Sequence, residues 1–327
     1  MISDVKVIIE RQKPIGSDGF GFPLILATMS ATTVEYTECT DIESVVLAGF
    51  DAESEVYKMA SKIFVQTDAP RTIAVCGVEG TAVAELPAIL DKGWRQLLVT
   101  SGSGDSTAAQ LAAYIEATDN KLVFFNFADK TEASGLSEFD RAVCVVHGDP
   151  LAAAAIVGAT AGKRAGSITY KNIIIAGVAP ELISASELGG LHAAGCITIV
   201  SKAGDIVTSD GISASGEFID IIDSRDYIIT QLEYQTQKLL NQSDKIPFTN
   251  PGIAQLESVA VNVLRGAFNN GIIGLNDDGS PAYTVSYAVR AETTPEDRAE
   301  RKYFGGRFSF ELAGAVHTVT IRGEIII

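Results

Sequence analysis

The sequence has 327 residues, of which 46% are hydrophobic and 20% are charged, and its formal net charge at pH 7 is -16. A chain of this length can bury sizeable cores and divides on average into about two domains, so the composition argues against disorder throughout. The negative charge argues against nucleic acid or an anionic membrane as the main partner, because both select basic surfaces.

The first segment with a regular pattern is "DVKVIIER", in which Val5, Val7 and Ile9 alternate with polar residues. Such alternation predicts a β-strand. The stretch "QKPIGSDGFGFP" follows, and its Gly and Pro content excludes a regular element. We therefore expect residues 1–20 to form a strand arm on a linker. The opening residues lack the long apolar core of a signal peptide, so we expect no export by a cleaved signal.

The middle of the chain alternates between apolar strands and helices. The predicted strands are "RTIAVCGV", "RQLLVT", "KLVFFNF" and "RAVCVVHG", and the helices between and after them are "AVAELPAILDKG", "DSTAAQLAAYIEAT" and "DPLAAAAIVGATAG". Asp105 or Ser106 is the expected cap of the second helix. Near-continuous apolar strands interleaved with helices indicate a largely parallel sheet. We therefore predict an α/β middle domain over residues 21–165.

The chain then changes to a mixture of helices and antiparallel strands. The segment "APELISASELGGLHAAG" predicts a helix that ends at Gly195, and "CITIVSKAGDIVTSDGIS" predicts a hairpin that turns at "KAGD". Two long helices follow, and "AYTVSYAV" and "GRFSFELAG" then read as strands. Residues 166–314 are accordingly predicted to form an α+β C-terminal domain.

The two long helices have recognisable ends and apolar faces. In "DSRDYIITQLEYQTQKLLNQ" the expected cap is Asp223 or Ser224, and in "NPGIAQLESVAVNVLRGAFNNG" it is Asn250, followed by Pro251 in the first turn. Helical spacing predicts an apolar face for each. These faces are Ile229, Leu232, Thr236 and Leu239 for the first helix, and Leu256, Ala260, Val263, Leu264 and Ala267 for the second.

The last segment, "AGAVHTVTIRGEIII", repeats the pattern of the first. Val319, Ile321, Ile325 and Ile327 alternate with polar residues, which predicts a strand. Residues 315–327 are therefore expected to be a second arm, and extended β-strand arms are predicted at both termini. An isolated strand leaves its backbone N–H and C=O groups without partners, so it needs a sheet to join.

Cysteines and histidines show no spacing typical of a metal or redox site. The four cysteines are isolated in sequence, and we predict that their thiols are buried and free: Cys39, Cys76, Cys144 and Cys196. Free thiols fit assembly of the protein in a reducing compartment. His147 is expected in a surface loop and His317 as a packed histidine bonded to backbone. His192 likewise has no second ligand at helical spacing. No metal and no cofactor is predicted.

The strongest catalytic pattern is the Gly-rich turn in "VTSGSGDSTAAQ". A strand leads through this turn to a helix N-terminus, where backbone N–H groups could hold a phosphate. The turn lacks the lysine of a P-loop, and Asp105 would repel the anion. No G-x-S-x-G elbow is present, so no catalytic residue is predicted. The alternative function is nevertheless an α/β enzyme that binds a phosphorylated ligand at residues 102–107.

Three consecutive stretches in the last third form a more specific pattern. They are "GEFIDIIDSRDYIITQLEYQTQKLL", "IAQLESVAVNVLRGAFNNGII" and "EDRAERKYFGGRFSFELAGAVHTVTIRGEI". Their order, with "FID" taken as a strand, resembles the contractile-tail sheath proteins of bacteriophages and related injection systems. "FGFPLILA" and "EVYKMASKIFVQTDAPRTIAV" near the start fit the same resemblance. The chain has no room for the outward-facing domains of larger sheaths, so it resembles a minimal one.

The resemblance implies a structural, non-enzymatic role. Subunits of this kind form six-membered rings stacked helically around a tail tube, and their arms complete sheets in neighbouring subunits. The implied partners are other copies of the chain, the tail tube protein, and baseplate and tail terminator proteins, with neither nucleic acid nor membrane insertion. The implied location is the virion tail, assembled in the host cytoplasm. Arg298, Arg301 and Lys302 are candidate tube contacts. A tail tube protein is a second alternative, although tube proteins are dominated by β structure.

Overall fold

A computed structural model describes residues 21–29, 33–100, 108–118 and 120–322. Its first half alternates strands and helices, as the sequence predicts. The elements are β1 (Phe22–Met29), β2 (Val34–Cys39), α1 (Ile42–Leu47), α2 (Glu55–Phe64), β3 (Ile73–Glu79), α3 (Ala82–Ile89), β4 (Trp94–Val99), α4 (Ala108–Glu116), β5 (Leu122–Phe127), β6 (Ala142–Val146) and α5 (Ala152–Ala161).

The second half is a mixture of helices and short strands. It contains α6 (Ala185–Ala193), β7 (Cys196–Ile197), β8 (Ile199–Lys202), β9 (Asp205–Thr208), α7 (Ile219–Gln242), α8 (Asn250–Asn269), β10 (Tyr283–Tyr287), α9 (Pro295–Glu300) and β11 (Gly306–Phe310). The hairpin predicted at "KAGD" is confirmed: β8 pairs antiparallel with β9, and Ala203 and Gly204 both adopt positive φ in the turn.

The main sheet has seven strands in the order β2-β3-β1-β4-β5-β6-β7. Only the edge strand β2 runs antiparallel to its neighbour, and the other described pairs are parallel. The prediction of a parallel α/β sheet is therefore confirmed. β1, near the start of the described chain, lies between β3 and β4 in the interior of the sheet.

Helices cover both faces of this sheet, which explains why its strands are apolar along their whole length. Side chains such as Ile25 and Val75 belong to one core with α2 and α5, whereas their neighbours Leu26 and Cys76 belong to a second core with α3, α4 and α6. The four cysteines are buried and free, as predicted.

One glycine makes the contact between α2 and α5 possible. A Cβ on Gly158 would lie 2.6 Å from the Cα and 2.7 Å from the backbone oxygen of Ile63. Every residue of α5 is buried, and most of them are alanine. The small side chains of "AAAAIVGATA" therefore allow the two helix backbones to approach closely.

A third core lies further along the chain. It contains Ile228 from α7, Leu264 and Ala267 from α8, and residues around the β10–β11 sheet. Ile219 and Ile222, in the first turn of α7, belong instead to the first core. The 24-residue α7 thus joins the two regions. The domain boundary at residue 165 stays a prediction, but the distribution of the cores favours a division within α7.

The predicted start of α7 is wrong. The helix begins at Ile219 after Phe218, with no side-chain cap, so the "FID" segment opens the helix instead of forming a strand. Asp223 and Ser224 lie within the helix and are buried. The carboxylate of Asp223 binds Arg95 and Tyr170, which are distant in the chain. The predicted apolar face is shifted as well: Ile229 is exposed, whereas Ile228 is fully buried.

Two other helix starts differ from the prediction. Residues 179–183 are extended, because the N–H of Glu181 donates to the carbonyl of Ile199, and α6 begins only after the capping box of Ser184. The cap of α8 is Thr249 in place of Asn250. The predicted face of α8 is largely confirmed, since all its members except the half-buried Leu256 are buried. Helix α6 ends before Gly195, which has positive φ as expected.

Candidate functional site

The segment after β11 extends along the surface without regular structure. Residues 313–322 form no helix or strand within the described chain. Its apolar side chains face solvent: Val316 is 83% exposed, Val319 72% and Ile321 89%. Three large apolar side chains at such exposure within six residues of an extended segment are unusual for a surface without a partner. The strand predicted at 315–327 is thus absent from the part of it that the structure describes.

One residue of this segment behaves differently. His317 is half-buried, and its ring lies edge-on to Phe218 with a centroid distance of 4.9 Å. Its Nε2 atom forms a hydrogen bond with the hydroxyl of Thr169, and its Nδ1 atom lies 3.9 Å from a carboxylate oxygen of Asp210. The expectation of a backbone-bonded histidine is therefore wrong: the described partners of His317 are side chains.

The second feature is the two-stranded β10–β11 sheet. Its antiparallel register pairs Val285 with Phe308 and Tyr287 with Gly306. Beyond the two ends, the N–H of Ala288 donates to Gly305 and that of Glu311 donates to Ala282. Because hydrogen-bonded and non-hydrogen-bonded pairs alternate, the two register pairs above direct their main-chain groups outward. Within the described residues, no strand pairs with the outer edge of β10 or β11.

The faces of this small sheet are unlike each other. Tyr283, Val285 and Phe310 pack on the third core, whereas Thr284 and Ser309 on the opposite face are exposed and hydrogen-bonded to each other at 2.7 Å. On the apolar face, the ring of Phe308 is 43% exposed at the β11 edge. A strand added there with alternating apolar residues would cover this ring and continue both faces.

Several predicted residues lie outside the described chain. These are Val5, Val7 and Ile9 of the first arm, Ile325 and Ile327 of the second, and the Gly-rich turn at residues 101–107, including Asp105 and Ser106. The phosphate-binding alternative and five of the seven predicted strand-arm contacts therefore lie outside the described residues and stay predictions.

The candidate tube contacts lie around α9, which begins at the cap Thr294. Arg298 is half-buried, and its guanidinium donates to the carbonyl oxygens of Arg290 and Thr293. Arg301 ends the helix in a left-handed conformation with φ 59°, and Lys302 pairs with Glu300 at 2.8 Å. Arg301 and Lys302 are thus exposed, whereas Arg298 is engaged within its own loop. Their role at a tube stays a prediction.

A buried ion network, which was not predicted from the sequence, lies at the amino end of the sheet. Asp226 of α7 accepts hydrogen bonds from Arg95 at 3.0 Å and from Arg141 at 2.7 and 2.9 Å. Asp223, one turn earlier, pairs with Arg95 and accepts a hydrogen bond from the hydroxyl of Tyr170 at 2.7 Å. These contacts attach α7 to β4 and to Arg141, the residue that precedes β6.

Burial and charge act together on this network. Burial opposes the charge of Arg95, but the carboxylates of Asp223 and Asp226 hold the pKa of Arg95 above its usual value. Burial next to Asp223 raises the pKa of Tyr170. Burial and the nearby Arg95 lower the pKa of Lys121 to about 7. A signal was present in the sequence, since "RQLLV", "KLVFF" and "RAVCVV" each place a basic residue at the start of a strand of one parallel sheet.

The remaining histidines have structural partners. His147 is only 5% exposed, so its prediction as a surface residue is wrong. Its Nε2 atom lies 3.0 Å from the carbonyl of Ala179, and its Nδ1 atom accepts from the N–H of Asp149 at 2.8 Å. His192 bonds to Ser209 at 3.0 Å, and burial lowers its pKa. No group of three or more His, Cys, Asp or Glu side chains among the described residues could hold a metal ion.

No protein-family model matches the chain, and no curated protein matches it in sequence. Solved structures do match it. A chain of the anti-feeding prophage baseplate aligns with a TM-score of 0.77 at 13% identity, covering 100% of this chain and 98% of that one. The chain has the sheath fold. The helical sheath of the same particle in its contracted state gives a TM-score of 0.73 at 13% identity, with 93% of each chain covered.

A third match is the contracted sheath complex of an extracellular contractile injection system, PVC. Its TM-score is 0.70 at 10% identity, with 99% of this chain and 98% of that one covered. The resemblance found in the sequence is therefore confirmed at the level of the sheath fold. Among the described residues, none of the helices combines the length and apolarity that a membrane crossing requires.

Proposed function

We propose that the chain is the structural subunit of a contractile tail sheath, which polymerises by exchanging strands between subunits. The observation that supports this most directly is the combination of two features within one chain of sheath fold. Val316, Val319 and Ile321 project from an extended segment that joins no sheet in the described chain, and the β10–β11 sheet has outer edges to which strands could be added.

The donor and acceptor features match in number and in pattern. Two arms are predicted, at residues 1–20 and 315–327, and the small sheet has two outer edges. An arm that alternates apolar and polar side chains fits a sheet with one face packed on α8 and one face exposed to water. Addition beside β11 would also remove the partly exposed Phe308 from water.

The free-energy terms favour reversible pairing of each arm with a sheet edge. A strand of eight residues paired along one edge makes about four hydrogen bonds, each worth ~0.5–1.5 kcal/mol net. Burial of Val319, Ile321, Ile325 and Ile327 adds roughly 1.5–3 kcal/mol each, whereas ordering the backbone costs about 1–2 kcal/mol per residue. The balance for a single arm is near zero. Two arms in each subunit, repeated through a lattice, would make assembly cooperative.

The mechanism of contraction follows from this reversible pairing of strands between subunits. Rings of six subunits stack helically around a tail tube in a metastable extended state. A signal from the baseplate lets the subunits rotate outward and pack more tightly, while the strands stay paired and the Gly/Pro-rich linkers absorb the rotation. The shortening sheath drives the tube through the target envelope. The energy is stored at assembly, so no nucleotide and no catalytic residue is required.

Other components of the tail complete the proposal. Baseplate and terminator proteins contact the two ends of the sheath, and the particle is assembled in the host cytoplasm. The C-terminal α+β domain lies toward the tube, where Arg301 and Lys302 are the exposed members of the predicted contact. Charge reversal of both residues should reduce assembly on a tube. Unchanged tube-templated assembly would remove these residues from the proposal.

The test of strand exchange compares four chains by negative-stain electron microscopy and light scattering. They are the full chain, a truncation ending at Gly314, a variant with Val319→Ser and Ile321→Ser, and a control with Thr318→Ser and Thr320→Ser on the polar face. Rings or tubes are expected from the full chain and the control, with monomers from the other two. Assembly by the truncation, or none by the full chain, would contradict the proposal.

A further inference from the structure

We propose that His317 is a positioning residue that fixes where the C-terminal arm leaves its own subunit. The inference rests on the proposed strand exchange, because the arm has to reach an edge in a neighbouring copy. Every residue from 313 to 322 except His317 is exposed. The described part of the arm is therefore held to the body of the subunit at one side chain.

The pocket that receives His317 is built from three separate segments of the body. Thr169 lies in the loop between α5 and α6, Asp210 follows β9, and Phe218 immediately precedes α7. Asp210 is itself held by Lys171 at 3.1 Å. Because these segments are fixed by the main cores, the position of the pocket does not depend on the arm.

The pocket contacts both the polar and the apolar parts of the imidazole ring. One ring nitrogen contacts the hydroxyl of Thr169, the other faces the carboxylate of Asp210, and the flat ring packs edge-on against Phe218. Phenylalanine would keep only the ring contact, and alanine would keep none. Asp210 also neighbours Lys171 and His192, and Asp220 is close to His317, so the pocket carries both signs of charge.

A turn before the pocket and the exposed residues 318–322 after it make the pocket a pivot. Gly314 adopts φ 65°, a left-handed conformation that lets the chain turn just after leaving β11. Ten residues, Thr318 to Ile327, follow His317. At ~3.3 Å per residue, these ten residues span about 33 Å when fully extended. Because the arm is held at His317, only the sheet edges of neighbouring subunits within this distance of the pocket can bind it.

Preorganisation of this kind lowers the entropy lost on docking. A net hydrogen bond and an edge-to-face ring contact each correspond to roughly a 2- to 10-fold shift in population. Loss of both contacts of His317 should raise the concentration needed for assembly by about 10-fold. It should leave the folding of the subunit unchanged, because the arm contributes nothing to the cores.

The first test follows the arm in the isolated subunit. A nitroxide attached at Thr320→Cys reports mobility, and the buried native cysteines are protected from labelling. We expect restricted motion in the parent chain, intermediate motion with His317→Phe and fast motion with His317→Ala, with Thr318→Ala as the matched control. Thr169→Val, made on the body side, should also increase mobility. Equal mobility in the parent and His317→Ala chains would overturn the proposal.

The second test measures the concentration for half-maximal assembly by light scattering with the same unlabelled variants. A rise of about 10-fold for His317→Ala and no change for Thr318→Ala is expected. An unchanged threshold for His317→Ala would overturn the positioning role. If the parent chain does not assemble at all, strand exchange fails as the function, while the mobility experiment still decides whether His317 anchors the arm.

Discussion

Replacing Asp226 by alanine should test whether the buried ion network is what joins α7 to the sheet. The carboxylate is fully buried and accepts three hydrogen bonds, one from Arg95 and two from Arg141. Its removal leaves two guanidinium groups, whose side chains are only 2% and 6% exposed, without this counter-charge. Breaking a buried ion pair from one side typically costs 3–5 kcal/mol, so we expect a loss of about 4 kcal/mol.

The assay is urea unfolding followed by the fluorescence of Trp94, the single tryptophan, which lies buried beside Arg95. With an m-value of ~3 kcal/mol/M, the midpoint should fall by about 1–1.7 M at unchanged m. Asp244→Ala, at an exposed position just beyond α7, is the matched control and should change the free energy of unfolding by less than ~0.5 kcal/mol. A loss below ~1 kcal/mol for Asp226→Ala would refute the assignment of the network as the joint.

Three further substitutions test other parts of the structure. Gly158→Ala should lower the free energy of unfolding by ~1–3 kcal/mol in thermal denaturation, because its Cβ would meet the backbone of Ile63; an unchanged melting temperature would contradict the close helix contact. Because the pKa of Lys121 is lowered from 10.5 to about 7 by folding, the unfolded chain binds one more proton than the folded chain between about pH 7 and pH 10.5. The stability of the parent chain relative to Lys121→Met should therefore rise from pH 7 to pH 9.5, and a fall would contradict burial of the neutral amine. Phe308→Asp should prevent assembly with only a small loss of melting temperature, because its ring is partly exposed, whereas Thr284→Asp on the polar face should leave assembly unchanged; equal effects of the two on assembly would contradict addition at the apolar edge.

The strands and helices of the sheet region could be predicted from the sequence because their local pattern and their burial agree. In "KLVFFNF" and "RAVCVVHG" a continuous apolar run matches a strand covered on both faces. The "KAGD" turn likewise has its own local chemistry. Elements of this kind need no information from distant parts of the chain.

The start of α7 could not be predicted in the same way. Asp223 and Ser224 are residue types that favour a cap, so a local pattern places the helix start there. In the structure Asp223 instead binds Arg95, 128 positions earlier in the chain. The favourable environment for a buried carboxylate arises from the tertiary fold, and a one-dimensional pattern does not contain it.

Part of the candidate site could be predicted from the sequence, and part of it could not. Alternation in "VHTVTIRGEIII" indicates a strand, yet residues 315–322 pair with no strand in the described chain. A strand requires a partner edge, and a single subunit need not contain it. The two strands of the small sheet were predicted from "AYTVSYAV" and "GRFSFELAG", but the open edges of the sheet and the pocket of His317 required the three-dimensional arrangement.

The central claim is that the C-terminal arm of one subunit completes the small sheet of another. A cryo-electron microscopy map of the assembled chain tests it most directly, by following the backbone from Gly314 to Ile327. We expect this segment to cross to a neighbouring subunit and to pair as a strand with the outer edge of β10 or β11. A segment that folds back onto its own subunit, with both edges of the β10–β11 sheet left open in the assembly, would contradict it.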